Sequence, residues 1–181
     1  MKNGDSSYRR FLEGEQEAFD DIMLTYRDGL TFFIKRYVQN DDIAEDICID
    51  VFCELLTHPR RYNGRSSLKT YIFMIGRSRA LDYLRRKNKI LMLPLENAEN
   101  HEDTGVSLED TVCRDERKRA INEAILTLPE NMQLAVHLVY FEDMSYKEAA
   151  SVLRISEKQM DNLLYNARKK LEKTLRKEEL I

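Results

Sequence analysis

Apolar residues recur every three to four positions along most of the chain. From Arg10 to Val38 they fall at Phe11, Ala18, Phe19, Ile22, Met23, Tyr26, Leu30, Phe33, Ile34 and Tyr37, a helical run that contains Gly29. Asp41 or Asp42 is placed to cap a second helix, in which Ile43, Ile47, Val51 and Leu55 lie at i, i+4, i+8 and i+12. His58-Pro59 stops it, and Arg60 to Ser67 reads as a loop containing Gly64. Ser66 or Ser67 then caps a third helix with Leu68, Ile72, Ile75 and Leu84 facing inward. The rhythm lapses from Leu91 to Thr111, among Pro94, Asn97, Asn100, Asp103, Thr104 and Gly105, and the segment reads as a linker. It resumes at Ala120, Ile121, Ala124, Ile125 and Leu128, ends at Pro129, and continues in a helix from about Glu130 to Phe141.

The last third adds local signals. Ser145-Tyr146-Lys147-Glu148 fits the capping box S-x-x-E, and Ser156-Glu157-Lys158-Gln159 fits S-x-x-Q. Two short helices thus begin close together, with Ala149-Ala150 small enough for close approach and Val152, Leu153, Ile155, Met160 and Leu164 available to lock them at an angle. This is a helix-turn-helix pattern. Its second helix presents Glu157, Lys158, Gln159, Asp161 and Asn162 early, then Tyr165 and Arg168. Gln and Asn pair bidentately with adenine, and Arg with guanine or phosphate.

Composition narrows the class. The chain has 181 residues, 34% charged and 43% hydrophobic, with only 6 Gly and 3 Pro, so helices are favoured over a many-stranded sheet. The expected fold is all-α: two small helical domains (residues 1–90 and 116–181) joined by an acidic linker (91–115), the C-terminal domain a helix-turn-helix. No apolar run approaches the roughly 20 residues of a membrane span. The N-terminus lacks the apolar core of a secretory signal, and a cytoplasmic location is expected. Cys48, Cys53 and Cys113 are odd in number without C-x-x-C spacing, and His58, His101 and His137 share no carboxylate-bearing motif. No disulfide, metal, cofactor or catalytic centre is expected.

Charge changes the picture most. The fourteen residues from Asp41 to Glu54 carry six acids and no base, whereas Pro59 to Lys89 carries ten bases and one acid, Asp82. The linker is net −6 within a chain of net −3. Among the basic residues stand Tyr62, Tyr71, Phe73 and Tyr83. Cations track a phosphate backbone, and rings offer faces to unstacked bases. An acidic helix beside a basic, aromatic segment points to two partners, a protein and a nucleic acid.

Ala44-Glu45-Asp46-Ile47-Cys48-Ile49-Asp50-Val51-Phe52, the stretch from Tyr62-Asn63-Gly64-Arg65 through Thr70-Tyr71 to Asp82-Tyr83-Leu84-Arg85-Arg86, and Leu128-Pro129 through Tyr146-Lys147-Glu148-Ala149-Ala150 to Ala167-Arg168 together resemble the extracytoplasmic-function (ECF) sigma factors of bacterial RNA polymerase. The resemblance covers about Phe11 to Leu175. It implies that Asp42, Glu45, Asp46 and Asp50 dock on the β′ clamp helices of core polymerase. It also implies that Arg60, Arg61, Tyr62, Asn63, Arg65, Tyr71, Arg77, Arg79, Arg85 and Arg86 bind and melt the minus-ten element. Ser156, Glu157, Lys158, Gln159, Asn162, Tyr165 and Arg168 are implied to contact the minus-thirty-five element. The partners implied are core polymerase (clamp helices and β flap), promoter DNA and an anti-sigma factor, with no small-molecule substrate. Departures occur: Ile49 stands where the family usually has Gln, Tyr71 where it has Trp, Ser78 where it has Asn, and Met160-Asp161-Asn162-Leu163 where V-K-S-R is common. The competing reading is a stand-alone helix-turn-helix regulator. It leaves the Asp42–Asp50 face and the Arg/Tyr loop without a role.

Overall fold

A computed structural model describes residues 3–91 and 116–177, and among them the regular elements are helical. The chain divides into two units, Met1–Gly105 and Val106–Ile181. The segment expected as a linker, 91–115, lies outside the described residues except for Leu91.

In the first unit, α1 (Asn3–Leu12), α2 (Glu17–Val38), α3 (Asp41–Thr57) and α4 (Leu68–Leu91) pack around one core. Leu30, Phe33 and Ile34 of α2, Val51 and Leu55 of α3, and Leu68, Ile72 and Phe73 of α4 are fully buried or nearly so. Phe33 and Phe73 meet with ring centroids 5.3 Å apart. Gly76 sits where α4 crosses α2: a Cβ there would lie 2.8 Å from Leu30 Cδ1, so any larger residue would force the buried Leu30 side chain to move.

Three expectations are corrected here. The helical run beginning at Arg10 is two helices, because the chain turns at Gly14, whose φ of +99° suits glycine. The cap of α3 is Asn40 rather than Asp41 or Asp42: its side chain accepts from Ile43 N at 2.9 Å, with Asn40 itself in an extended conformation. Phe73, grouped by sequence with the rings that could face bases, is 0% exposed and belongs to the core.

The second unit comprises α5 (Glu116–Leu126), α6 (Glu130–Val136), a π-helical turn (His137–Phe141), α7 (Tyr146–Leu153) and α8 (Glu157–Lys177). The expected helix from Glu130 to Phe141 therefore changes pitch in its last turn, where Glu142 N donates to His137 O at 3.0 Å. Both capping boxes form. Glu148 N donates to Ser145 Oγ (3.3 Å) and Ser145 N to Glu148 Oε2 (3.0 Å). Likewise Gln159 N donates to Ser156 Oγ (3.2 Å) and Ser156 N to Gln159 Oε1 (2.8 Å). Between the two helices Arg154 adopts a left-handed φ of 55°, which turns the chain sharply. Ala149, Ala150, Val152, Leu153, Met160, Leu164 and Ala167 seal the junction.

Candidate functional site

The acidic helix α3 buries Ala44, Ile47, Cys48, Val51, Phe52 and Leu55, and this fixes which face is left outside. Asp42, Glu45, Asp46 and Asp50 are all exposed. Asp42, Asp46, Ile49, Cys53 and Leu56 form one stripe at i, i+4, i+7, i+11 and i+14. Ile49 is 57% and Leu56 49% exposed, so the carboxylate ridge continues into an apolar strip that charge counting alone passed over.

The loop after α3 is held from an unexpected direction. Asp5 of α1 accepts from Leu68 N at 2.8 Å, capping α4 alongside Ser67, whose Oγ accepts from Thr70 N at 3.3 Å. The same Asp5 oxygen lies 3.0 Å from the Tyr62 hydroxyl, which also lies 2.7 Å from Ser66 O. Burial and the neighbouring Asp5 raise the Tyr62 pKa, since both disfavour the phenolate. Tyr8 donates to Pro59 O, and burial, with Tyr71 nearby, pushes its hydroxyl up to about 12. The rings of Tyr8 and Tyr62 meet edge-on at 5.1 Å, and those of Tyr62 and Tyr71 lie 5.1 Å apart. The aromatic loop residues thus form a braced cluster. Beside it, Asp5, Tyr8, Arg9, Leu12, Tyr62, Gly64, Ser66 and Ser67 line an open cavity of about 640 Å³.

The cations differ sharply in setting. Arg60 and Arg65 are exposed and, among the described residues, carry no side-chain partner. Asn63 Oδ1 accepts from Arg65 N at 3.1 Å and shapes the loop. Arg61 Nη1 donates to Glu54 Oε1 at 2.7 Å. Arg79 donates from Nη2 to Glu54 Oε2 at 2.6 Å and from Nη1 to Asp50 Oδ2 at 3.2 Å. These arginines, Arg79 foremost, hold the Glu54 carboxyl below its usual range. Arg77 is half-buried, Arg85 pairs with Asp82 at 2.9 Å, and Arg86 is exposed. Glu54 and Asp5 were not among the sequence candidates. Glu54 sits four residues beyond Asp50 on the same helix and was open to that inference. No local signal marks Asp5, whose partners lie 57 and 63 positions away.

On α8, Ser156 and Gln159 serve the helix cap. Glu157, Lys158, Asn162 and Tyr165 are exposed without side-chain partners among the described residues. Arg168 is engaged: its Nε donates to Tyr140 Oη at 2.9 Å and its Nη2 to Tyr146 Oη at 2.5 Å, tying α8 to the π-helical turn and to α7. Among the described residues no group of His, Cys, Asp and Glu could hold a metal ion, and no helix is long and apolar enough to cross a membrane.

Comparison with known proteins gives this arrangement a class. Residues 22–90 match the model of Sigma-70 region 2, and residues 118–171 match that of Sigma-70 region 4. The chain belongs to the ECF RNA polymerase sigma factors, DNA-binding transcription initiation factors that direct core polymerase to promoters. Among its relatives, the ECF sigma factor SigW of Bacillus subtilis is 27% identical over 91% of this chain and 92% of its own length. SigM of the same organism is 25% identical over 85% and 93%. The sigma-H factor of Pseudomonas aeruginosa is 26% identical over 92% and 90%. The fold agrees with that of CnrH, solved with the cytosolic domain of CnrY (TM-score 0.63, 19% identity, 96% of this chain and 97% of that one). It also agrees with RpoE of Bartonella quintana, solved with the anti-sigma factor NepR (TM-score 0.62, 19% identity, 87% and 96%). The region 2 match has no place in a stand-alone helix-turn-helix regulator.

Proposed function

We propose that the two kinds of surface divide the work of initiation as follows. Asp42, Glu45, Asp46 and Asp50, with Ile49 and Leu56 beside them, dock on the β′ clamp helices. The loop from Arg60 to Arg65 and the exposed cations of α4 hold the opened minus-ten strand, while the first turns of α8 read the minus-thirty-five duplex. Functionally the chain divides into residues 1–90, a connecting stretch 91–115 and residues 116–181. It acts in the cytoplasm as a dissociable subunit, performs no catalysis itself, and contacts the β flap as well as the clamp. An anti-sigma factor is a further partner, in keeping with the complexes in which CnrH and the Bartonella RpoE were solved.

One observation carries the reading: an exposed carboxylate ridge and a cation-bearing loop lie on consecutive elements of a single rigid core. Docking on one surface therefore fixes the other. Unstacking a base costs a few kcal/mol, which contacts to ring faces, loop hydrogen-bond donors and phosphates can offset. Photo-crosslinkers placed at Ile49, Arg65 and Asn162 test the division in a promoter complex. The expected products are with the β′ subunit, the non-template strand near minus ten, and DNA near minus thirty-five. Crosslinks from Ile49 to DNA, or from Arg65 to protein alone, contradict it.

A further inference from the structure

Arg79 is tied down twice in the free chain. Both of its Nη atoms donate to carboxylates of α3, and its Nε is buried without a hydrogen-bond partner. One N–H on each arm of the planar fork that makes arginine a good phosphate ligand is thereby engaged, which fixes where the fork points. Arg61 has given one Nη1 to the same Glu54. Glu54 thus bridges two cations from two different elements; its side chain is 18% exposed against 59% for Arg61 and 35% for Arg79, so water screens the Arg79 contact less than the Arg61 one. Arg60 and Arg65 of the same loop carry no such restraint.

We infer that Glu54 is a positioning residue for strand capture: together with Asp50 it keeps Arg79 and Arg61 on α3 in the free protein, and docking of α3 on a cationic partner releases them toward phosphate. The inference rests on the assignment of the α3 face to polymerase and of the loop to the opened strand. Its physical basis is competition for the same N–H groups. Asp50 is the outer arm, 64% exposed and 3.2 Å from Arg79, and it lies one helical turn from Asp46 on the docking side. A cation supplied by a partner competes with Arg79 for Asp50 and loosens the Nη1 arm, so the fork can turn toward DNA. The free chain then holds single strands weakly, and engagement with polymerase strengthens its hold.

The test is the affinity of the full chain for a labelled thymidine oligonucleotide of about twelve nucleotides, measured across a salt series without polymerase. Glu54→Gln keeps the size of the side chain and removes its charge. Each of the two arginines released adds about one phosphate contact, so at about 0.1 M salt binding should tighten about fivefold per arginine and the log–log salt slope should steepen by about 1.4 in all. Adding Arg79→Ala to Glu54→Gln should remove the Arg79 share of that gain, about half of it. A purely structural role for Glu54 gives no such dependence on Arg79. Unchanged or weaker binding by Glu54→Gln, with an unchanged slope, overturns the inference. Should that variant fail to fold, Asp50→Asn carries the test: a smaller gain supports the inference and no gain overturns it. The underlying assignment is checked by the double variant Arg60→Ala, Arg65→Ala. If it leaves oligonucleotide binding unchanged, assignment and inference fall together. If it weakens binding while Glu54→Gln stays silent, the inference alone falls.

Discussion

In the N-terminal unit, Arg79 of α4 and Arg61 of the loop next to α3 are held by that helix through one carboxylate, whereas Arg60 and Arg65 have no side-chain partner among the described residues. In the C-terminal unit, Glu157, Lys158 and Asn162 in the first turns of α8 have no side-chain partner among the described residues, and the engaged cation, Arg168, stands three turns along, bound to tyrosines rather than acids. On the function proposed above, the difference matches two substrates. Duplex DNA presents its edges and phosphates without being opened, so a reader can stand ready. An opened strand exists only within a transcription complex, so a surface that grips single strands is best engaged there, and on the inference drawn above neighbouring carboxylates provide that restraint.

The comparison breaks most severely if docking is lost. Asp46→Arg reverses charge at the centre of the exposed ridge and should weaken association with core polymerase by about a hundredfold or more, with circular dichroism unchanged. Normal holoenzyme assembly by this variant removes the ridge from the interface. Next in size, Asn162→Ala should change discrimination at one or two upstream base pairs by about 1–3 kcal/mol each, leaving nonspecific duplex binding almost untouched. A selection on randomised upstream sequences reads this directly, and an unchanged profile takes Asn162 out of the reading set. Asp5→Ala should cost about 1 kcal/mol by removing the cap at Leu68 N. It should also loosen Tyr62, so promoter opening should fall more than core binding does, as permanganate reactivity of the opened strand would reveal. Equal loss in both would mean that Asp5 merely stabilises the fold.

The smallest effect concerns pH. The Glu54 carboxyl lies below its usual range in the folded protein, so its ion pairs stabilise the fold above the unfolded-state value of about 4.3. That stabilisation is lost as pH falls through the folded value. The difference in melting temperature between the wild type and Glu54→Gln should therefore be full at neutral pH and shrink as the solution is acidified below about pH 4. A difference that persists or grows in acid contradicts the pairing.

The helix-turn-helix was legible because its determinants are local: both capping boxes formed at the Ser145 and Ser156 positions where the spacing placed them. So was the outward acidic face of α3, since the buried set Ile47, Val51 and Leu55 leaves Asp42 and Asp46 no other side. What escaped depends on how helices cross. Arg79 reads as a free cation until α3 is laid beside α4, and Phe73 reads as an exposed ring until α4 is rotated onto Phe33. The anchorage of α1 escaped for a different reason. Its apolar positions are few, and it is tied down by the buried Tyr8, which donates to Pro59 O, and by a carboxylate meeting a backbone N–H 63 residues away. The π-helical turn at His137–Phe141 likewise follows from packing that no three-to-four periodicity announces.

Reconstituted transcription with core polymerase, with start sites mapped across genomic DNA, tests the central claim most directly. The account predicts a stable complex and discrete starts preceded by a shared pair of upstream elements. A chain that binds duplex yet forms no complex with core enzyme and initiates nowhere would contradict it.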